Sequence, residues 1–251
     1  IRKGTKTSAW ASGGNLNTAR DRMGGAGSSN SNALGFGGTP TVANTEQYDG
    51  TSWTEVNDLN TARDQLGGVG ATNTAALGFG GLTPPTTPNN SALTELWNGT
   101  NWTEVNNLNQ IRRNAGSAGT DNTSGLVFGG NLPPGTNLKA QTENWNGTNW
   151  TEVADLNQAR LSIAGAGTAT SALGVGGYNP SPAYSITESW NGNAWTEVAD
   201  LNTARNDMGG TPSSASNTSA LVYGGQDASN PTAVTEEWSG SSTVTKTVGT
   251  D

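Results

Sequence analysis

Residues 142–160 read Thr-Glu-Asn-Trp-Asn-Gly-Thr-Asn-Trp-Thr-Glu-Val-Ala-Asp-Leu-Asn-Gln-Ala-Arg. Thr142–Trp145 and Trp150–Val153 each set an aromatic residue among strand-compatible neighbours, and Asn146-Gly147 stands between them. Asn-Gly suits a tight hairpin because both residues accept positive φ. The stretch therefore predicts two antiparallel strands, followed by a connector that ends on Arg160.

The same wording recurs along the chain. Leu-Asn-x-x-Arg ends at Arg20, Arg63, Arg112, Arg160 and Arg205. A double glycine closes an apolar run at Gly37-Gly38, Gly80-Gly81, Gly129-Gly130, Gly176-Gly177 and Gly224-Gly225. Thr-Glu follows, at Glu46, Glu95, Glu143, Glu188 and Glu236, and an aromatic lies two residues on, at Tyr48, Trp97, Trp145, Trp190 and Trp238. A second Trp comes after the turn in four copies, at Trp53, Trp102, Trp150 and Trp195. Self-similarity at a period of about 45 residues marks a repeat architecture.

The fifth copy lacks its second Trp, but Trp10 lies ten residues before Arg20, and the other four Trp–Arg spacings are the same. The N-terminus thus supplies the last strand of the unit that the C-terminus begins. The chain predicts an all-β fold: one domain over 1–251, a closed five-bladed β-propeller with four antiparallel strands per blade. The blades span about 20–57, 63–106, 112–154, 160–199, and 205–240 plus 8–13. Closure removes the sheet edges that invite mispairing. Val244–Val248 also alternates like a strand and competes with the Trp10 segment for the same place. The innermost strand of each blade is small, as in Ala164-Gly165-Ala166-Gly167, which lets backbones converge on an axis.

Composition agrees. Only 31% of residues are apolar, yet there are nine Trp and 36 Gly. Disordered chains are poor in aromatics, so apolar mass is concentrated in the Trp columns. There is no Cys and no His, which removes thiolate ligands and the commonest general base. No cofactor or metal is implied. The net charge of −8 argues against nucleic acid. No apolar run reaches membrane-spanning length, so no membrane insertion is expected, and no signal peptide is visible. The opening Ile1 predicts a processed form or a piece of a longer chain.

Arg opening strand a, double glycine ending strand b, an aromatic on c and Trp on d together resemble the kelch repeat, over roughly residues 8–240. Two departures stand out: Trp replaces Tyr on strand c in four copies, and five blades are fewer than the six or seven usual in kelch propellers. A kelch-type copper oxidase such as galactose oxidase needs His and Cys, which are missing here. The phrase NGT-x-WTEV-x-x-LN-x-AR is also similar to repeat proteins of marine bacteriophage virions. That resemblance implies a virion surface or tail-fibre protein, in the virion or extracellular. Its partner would be a host surface glycan or another virion protein.

The b–c segments between double glycine and Thr-Glu hold 6, 12, 11, 9 and 9 residues, whereas the c–d and d–a segments keep their length. Variable loops on a rigid scaffold are where binding usually sits. The expected ligand face therefore includes Lys139, Tyr178, Asn179, Tyr184 and Asp227 from these loops. The position two residues after the repeated Arg also varies, as Arg22, Gln65, Asn114, Ser162 and Asp207, and the kelch resemblance places it around the upper channel. Arg22, Gln65 and Asn114 complete the candidate ligand residues. The five Arg and five strand-c Glu, one of each per blade, predict structural ion pairs. Trp10, Trp53, Trp102, Trp150 and Trp195 form a structural column. Strand-d Glu55, Glu104, Glu152 and Glu197 read as a solvated edge and not as hydrolytic carboxylate pairs. No catalytic residues are expected. The reading is a non-enzymatic interaction module. A purely structural virion decoration and a secreted carbohydrate-active enzyme without His are the alternatives.

Overall fold

The computed structural model describes residues 12–84, 91–132, 137–179, 183–211, 216–227 and 230–240. Every element among the described residues is a β-strand. Sheet one is β1 (Gly24–Ser29), β2 (Asn32–Phe36), β3 (Thr45–Tyr48) and β4 (Trp53–Val56). Sheet two is β5 (Gly67–Thr72), β6 (Ala75–Phe79), β7 (Thr94–Trp97) and β8 (Trp102–Val105). Sheet three begins with β9 (Gly116–Asp121) and β10 (Ser124–Phe128). A small loop hairpin, β11 (Asn131–Leu132) and β12 (Asn137–Leu138), precedes its β13 (Thr142–Trp145) and β14 (Trp150–Val153). Sheet four is β15 (Ala164–Thr168), β16 (Ser171–Val175), β17 (Thr187–Trp190) and β18 (Trp195–Glu197). A fifth, two-stranded sheet pairs β19 (Ser219–Tyr223) with β20 (Thr235–Ser239). A bridge from Gly209 to Tyr223 adds the start of a further strand to it.

Each four-stranded sheet is an antiparallel meander in chain order. The register puts the two aromatics of each repeat opposite one another, as in Trp97↔Trp102, Trp145↔Trp150 and Trp190↔Trp195. The turn between them differs from the tight hairpin expected. Four residues, Asn146–Asn149, separate the strands, and Gly147 (φ +91) takes the left-handed conformation without Asn146. Asn146 instead accepts hydrogen bonds at its side-chain oxygen from the N–H groups of Thr148 (2.9 Å) and Asn149 (2.8 Å). Its short side chain does what a second positive φ would otherwise do.

The innermost strands follow one another around the fold, β1 against β5, β5 against β9 and β9 against β15. Their small residues are required by the approach. A Cβ on Gly68 would lie 2.6 Å from Gly25 O, and one on Gly165 would lie 1.8 Å from Ser117 O.

Between sheets the core is aromatic. Phe36 meets Trp102 edge-on with centroids 4.8 Å apart; Phe79–Trp150 (5.1 Å) and Phe128–Trp195 (4.9 Å) repeat the contact. Each of these Trp also donates its indole N–H to a strand-c threonine of the preceding sheet: Trp102 to Thr45, Trp150 to Thr94 and Trp195 to Thr142, at 2.9, 2.9 and 3.0 Å. Trp97, Trp145 and Trp190 are fully buried. Burying an indole contributes roughly 4–6 kcal/mol as an upper bound. A chain this poor in aliphatics therefore holds its sheets together through Trp. Trp10, the 8–13 strand up to residue 11, and Val244–Val248 lie outside the described residues.

Candidate functional site at the axial mouth

The five Arg–Glu pairs frame the site without entering it. Arg20–Glu46, Arg63–Glu95, Arg112–Glu143 and Arg205–Glu236 meet at 2.5, 2.8, 2.7 and 2.7 Å, and Arg160 pairs with Glu188 in the same way. The arginine side chains are 0–1% exposed. The second carboxylate oxygen is also occupied. In the second repeat Glu95 Oε2 accepts from the backbone N–H (2.7 Å) and side-chain amide (2.8 Å) of Asn60, the Asn of Leu-Asn-x-x-Arg. Asn17, Asn109, Asn157 and Asn202 do the same for their glutamates.

Three of the arginines also tie together the two ends of their b–c loops. Arg63 Nη1 donates to Gly80 O (3.0 Å) and Leu93 O (2.8 Å). Arg112 reaches Gly129 O and Gln141 O, and Arg205 reaches Gly224 O and Val234 O. So loops of different length leave the scaffold from one fixed frame.

The charges respond as burial and pairing require. Burial pushes the Glu46 carboxyl upward, but hydrogen bonds from Asn17 and Arg20 outweigh it and hold the group below its ordinary value. Glu236 is held down likewise by Asn202 and Arg205 against burial. Burial lowers Arg63 and Arg112 from the usual guanidinium value, opposed by Glu95 and Glu143.

Two residues beyond each arginine the backbone turns left-handed: Arg22 (φ 53), Gln65 (55), Asn114 (52), Ser162 (55) and Asp207 (52). These are the only non-glycine positive φ values among the described residues. Each costs about 1–2 kcal/mol for a residue with a Cβ. The conformation is held by a chain of backbone bonds from repeat to repeat. Gln65 N–H donates to Arg22 O (2.9 Å), Asn114 to Gln65 O (3.3 Å), Ser162 to Asn114 O (2.8 Å) and Asp207 to Ser162 O (3.4 Å).

These five residues face one another. A cavity of about 770 Å³ takes two consecutive residues from each repeat: Arg22-Met23, Gln65-Leu66, Asn114-Ala115, Ser162-Ile163 and Asp207-Met208. The first member of each pair is polar and the second apolar, so a polar rim stands over an apolar floor. Above it a mouth of about 1320 Å³ adds Asp21, Arg113, Leu161 and Asn206 from the position before the rim, with Tyr178 and Gln226 from the starts of two b–c loops. Those added positions pair across short backbone bridges, Asp21↔Thr39, Arg113↔Asn131, Leu161↔Tyr178 and Asn206↔Gln226.

Of the ligand residues expected from sequence, Arg22, Gln65, Asn114 and Tyr178 come together at this mouth. The others are placed elsewhere. Asn179 donates its amide to Tyr184 Oη (2.9 Å), so these two are joined within their own loop. Lys139 enters the loop frame through its backbone, donating to Gly130 O and accepting from Arg160 N–H. Asp227 accepts from the Asn230 N–H at 3.0 Å and so closes its own loop turn. Sequence reading missed Asp21, Arg113, Leu161 and Asn206. Their signal was partly available: the residue after the repeated Arg takes four identities over the five copies, Asp21, Asp64, Arg113, Leu161 and Asn206. The Asn of Leu-Asn-x-x-Arg was missed as well, although it recurs five times.

No family model matches this chain, and no curated protein matches it either. The geometry must therefore carry the functional reading. It offers a cavity with donors, acceptors and both signs of charge, one aromatic ring at the wall and an apolar floor. Among the described residues no three carboxylates gather as a metal would need.

Proposed function

We propose that this chain is a non-enzymatic binding module. It is a closed, five-bladed, kelch-like β-propeller that takes a hydroxyl-rich ligand, a surface glycan, at its axial mouth. One observation carries the reading. The backbone at the mouth repeats five times in the same left-handed conformation, while its five side chains are Arg22, Gln65, Asn114, Ser162 and Asp207. Where the Arg, Glu, Asn and Trp positions repeat for packing, these positions differ. Residues held in a sparsely populated conformation and pointed into one cavity mark a functional surface.

The chemistry fits a saccharide. Its hydroxyls both donate and accept, which suits the amides of Gln65, Asn114, Asn206 and Gln226 and the Ser162 hydroxyl. Its C–H faces suit the Tyr178 ring and the apolar floor. Mixed charge at the rim, Arg22 and Arg113 against Asp21 and Asp207, does not select a strongly charged ligand. The resemblance to virion repeat proteins supports a host surface glycan, or another virion protein, as the partner, with the chain in a virion or extracellular.

A glycan array followed by titration calorimetry on the best hit tests this. Asn114→Ala and Tyr178→Ala are expected to weaken binding at least tenfold while leaving the unfolding midpoint near that of the parent. Lys139→Ala, outside the mouth, is expected to bind as the parent does. Unchanged affinity in both mouth variants contradicts the site.

A further inference from the structure

We infer that the cavity between sheets four and five is the socket of Trp10, and that the N-terminal segment of the same chain, docked there, completes the fifth sheet. The inference concerns closure of the ring and holds whether or not the mouth binds a glycan.

The cavity is half open and spans about 510 Å³, part of it open to solvent. Its lining matches, position by position, the site that Trp195 fills one interface earlier. Trp195 lies against Phe128, bonds Thr142 and packs on Trp190, and it shares its core with Leu156 and Ala172. One repeat later those five positions are Val175, Thr187, Trp238, Leu201 and Ala220, and all five line the cavity. Val175 in place of phenylalanine leaves extra room on one side. The same register used three times then gives Trp10 a place opposite Trp238, with Thr187 Oγ1 as acceptor for its indole N–H.

The described chain already approaches from the right direction. Asn17 and Arg20 hold Glu46 as Asn60 and Arg63 hold Glu95. Gly14 lies so close to Thr51 O that a Cβ would stand 2.4 Å from it. At the equivalent places Asn57 donates to Thr100 O and Asn106 to Thr148 O. The connector ending at Arg20 thus follows the path of the other four, and its residue 12 is two positions past Trp10. Meanwhile β20 alternates exposed and half-buried residues, where β7, β13 and β17 are largely buried beneath a fourth strand. Among the described residues no strand pairs with the outer edge of β20, and such an edge is a template for another strand.

Two other occupants compete: the tail segment Val244–Val248, and the N-terminus of a second copy. Disulfide trapping separates all three, and the chain's lack of cysteine keeps the background clean. In sheet two Leu96 stands opposite Thr103, the neighbours of the paired Trp residues. The equivalent pair in sheet five is Glu237 and Ala11. The full-length Ala11→Cys/Glu237→Cys variant, oxidised by copper phenanthroline, is expected to run as a cross-linked monomer. The Glu237→Cys/Thr245→Cys variant is expected to stay unlinked. Linking of the second pair in place of the first assigns the socket to the tail and overturns the inference. Cross-linked dimers overturn it in favour of a second copy, and a folded chain with no link overturns it outright. Trp10→Ala is expected to lower the unfolding midpoint by about 6–20 °C, as for a buried Trp in a chain of this size, whereas removing residues 241–251 is expected to leave it unchanged.

Discussion

Trp195 donates its indole N–H to Thr142 Oγ1 at 3.0 Å, across the boundary between sheet four and sheet three. Both groups are buried, and the same bond joins Trp150 to Thr94 and Trp102 to Thr45. It gives each large apolar contact a polar anchor and so fixes which way the indole lies. Thr142→Val keeps the shape and removes the acceptor, leaving a buried N–H unpaired. The expected loss is about 1–3 kcal/mol, with Thr142→Ser closer to the parent. Urea unfolding followed by Trp fluorescence measures both.

The Arg–Glu pairs make a sharper contrast. Glu143 is buried against Arg112, whereas Glu152, directly opposite it on β14, is exposed. Glu143→Gln leaves the guanidinium buried without its counter-charge and is expected to cost about 3–5 kcal/mol. Glu152→Gln is expected to stay within about 0.5 kcal/mol of the parent. Equal effects would show that the pair is not what holds the loop frame.

Backbone strain at the rim has its own signature. Gln65 sits at φ 55, so Gln65→Val forces a β-branched residue into the left-handed region. The expected cost is about 1–2 kcal/mol beyond that of Gln65→Ala. Gln65→Gly is expected to match or exceed the stability of Gln65→Ala, because glycine takes this conformation freely. Chemical denaturation of the three variants decides it.

Acid should loosen the frame. Glu46 and Glu236 are held below the ordinary glutamate value of 4.5 in the folded chain. Between the folded and ordinary values the unfolded chain binds more protons, so stability falls as pH falls. The contribution is complete above about pH 5.5 and is lost progressively as pH drops through 4.5 and below the folded values. Unfolding midpoints are therefore expected to be flat from pH 7 to 5.5 and to fall at lower pH. In Glu46→Gln the fall is expected to be shallower.

Much of this was legible in the sequence because it repeats for packing. The Trp columns, double glycines and Leu-Asn-x-x-Arg strings give strand order and sheet boundaries directly, and one Arg and one Glu per copy point to a pair. What could not be read was geometry that no residue type announces. Arg22, Gln65, Asn114, Ser162 and Asp207 share a left-handed backbone that Asn and Asp accept readily but Arg, Gln and Ser do not; neighbouring repeats impose it through backbone bonds. Asn146 was legible as a turn residue but not as a side-chain cap. Asn179 with Tyr184, and Asp227 with Asn230, looked free in the sequence and are bonded within their loops. Loop residues of varied identity serve ligand and loop alike, and only their placement tells which.

Indole N–H exchange reads whether the ring is closed through tryptophan. Trp102, Trp150 and Trp195 are 5% exposed, with their N–H groups bonded to threonine. The closure proposed above extends the series to Trp10 on Thr187 and to Trp53 on Thr235, and covers Tyr223, which is 46% exposed. Two-dimensional ¹⁵N NMR in deuterated solvent, with the nine indole resonances assigned by single Trp→Phe variants, reads each site. With the ring closed, Trp10 and Trp53 are expected to exchange as slowly as Trp102, Trp150 and Trp195. Exchange of Trp10 and Trp53 at the rate of an unfolded peptide, beside slow exchange of the other three, would contradict it.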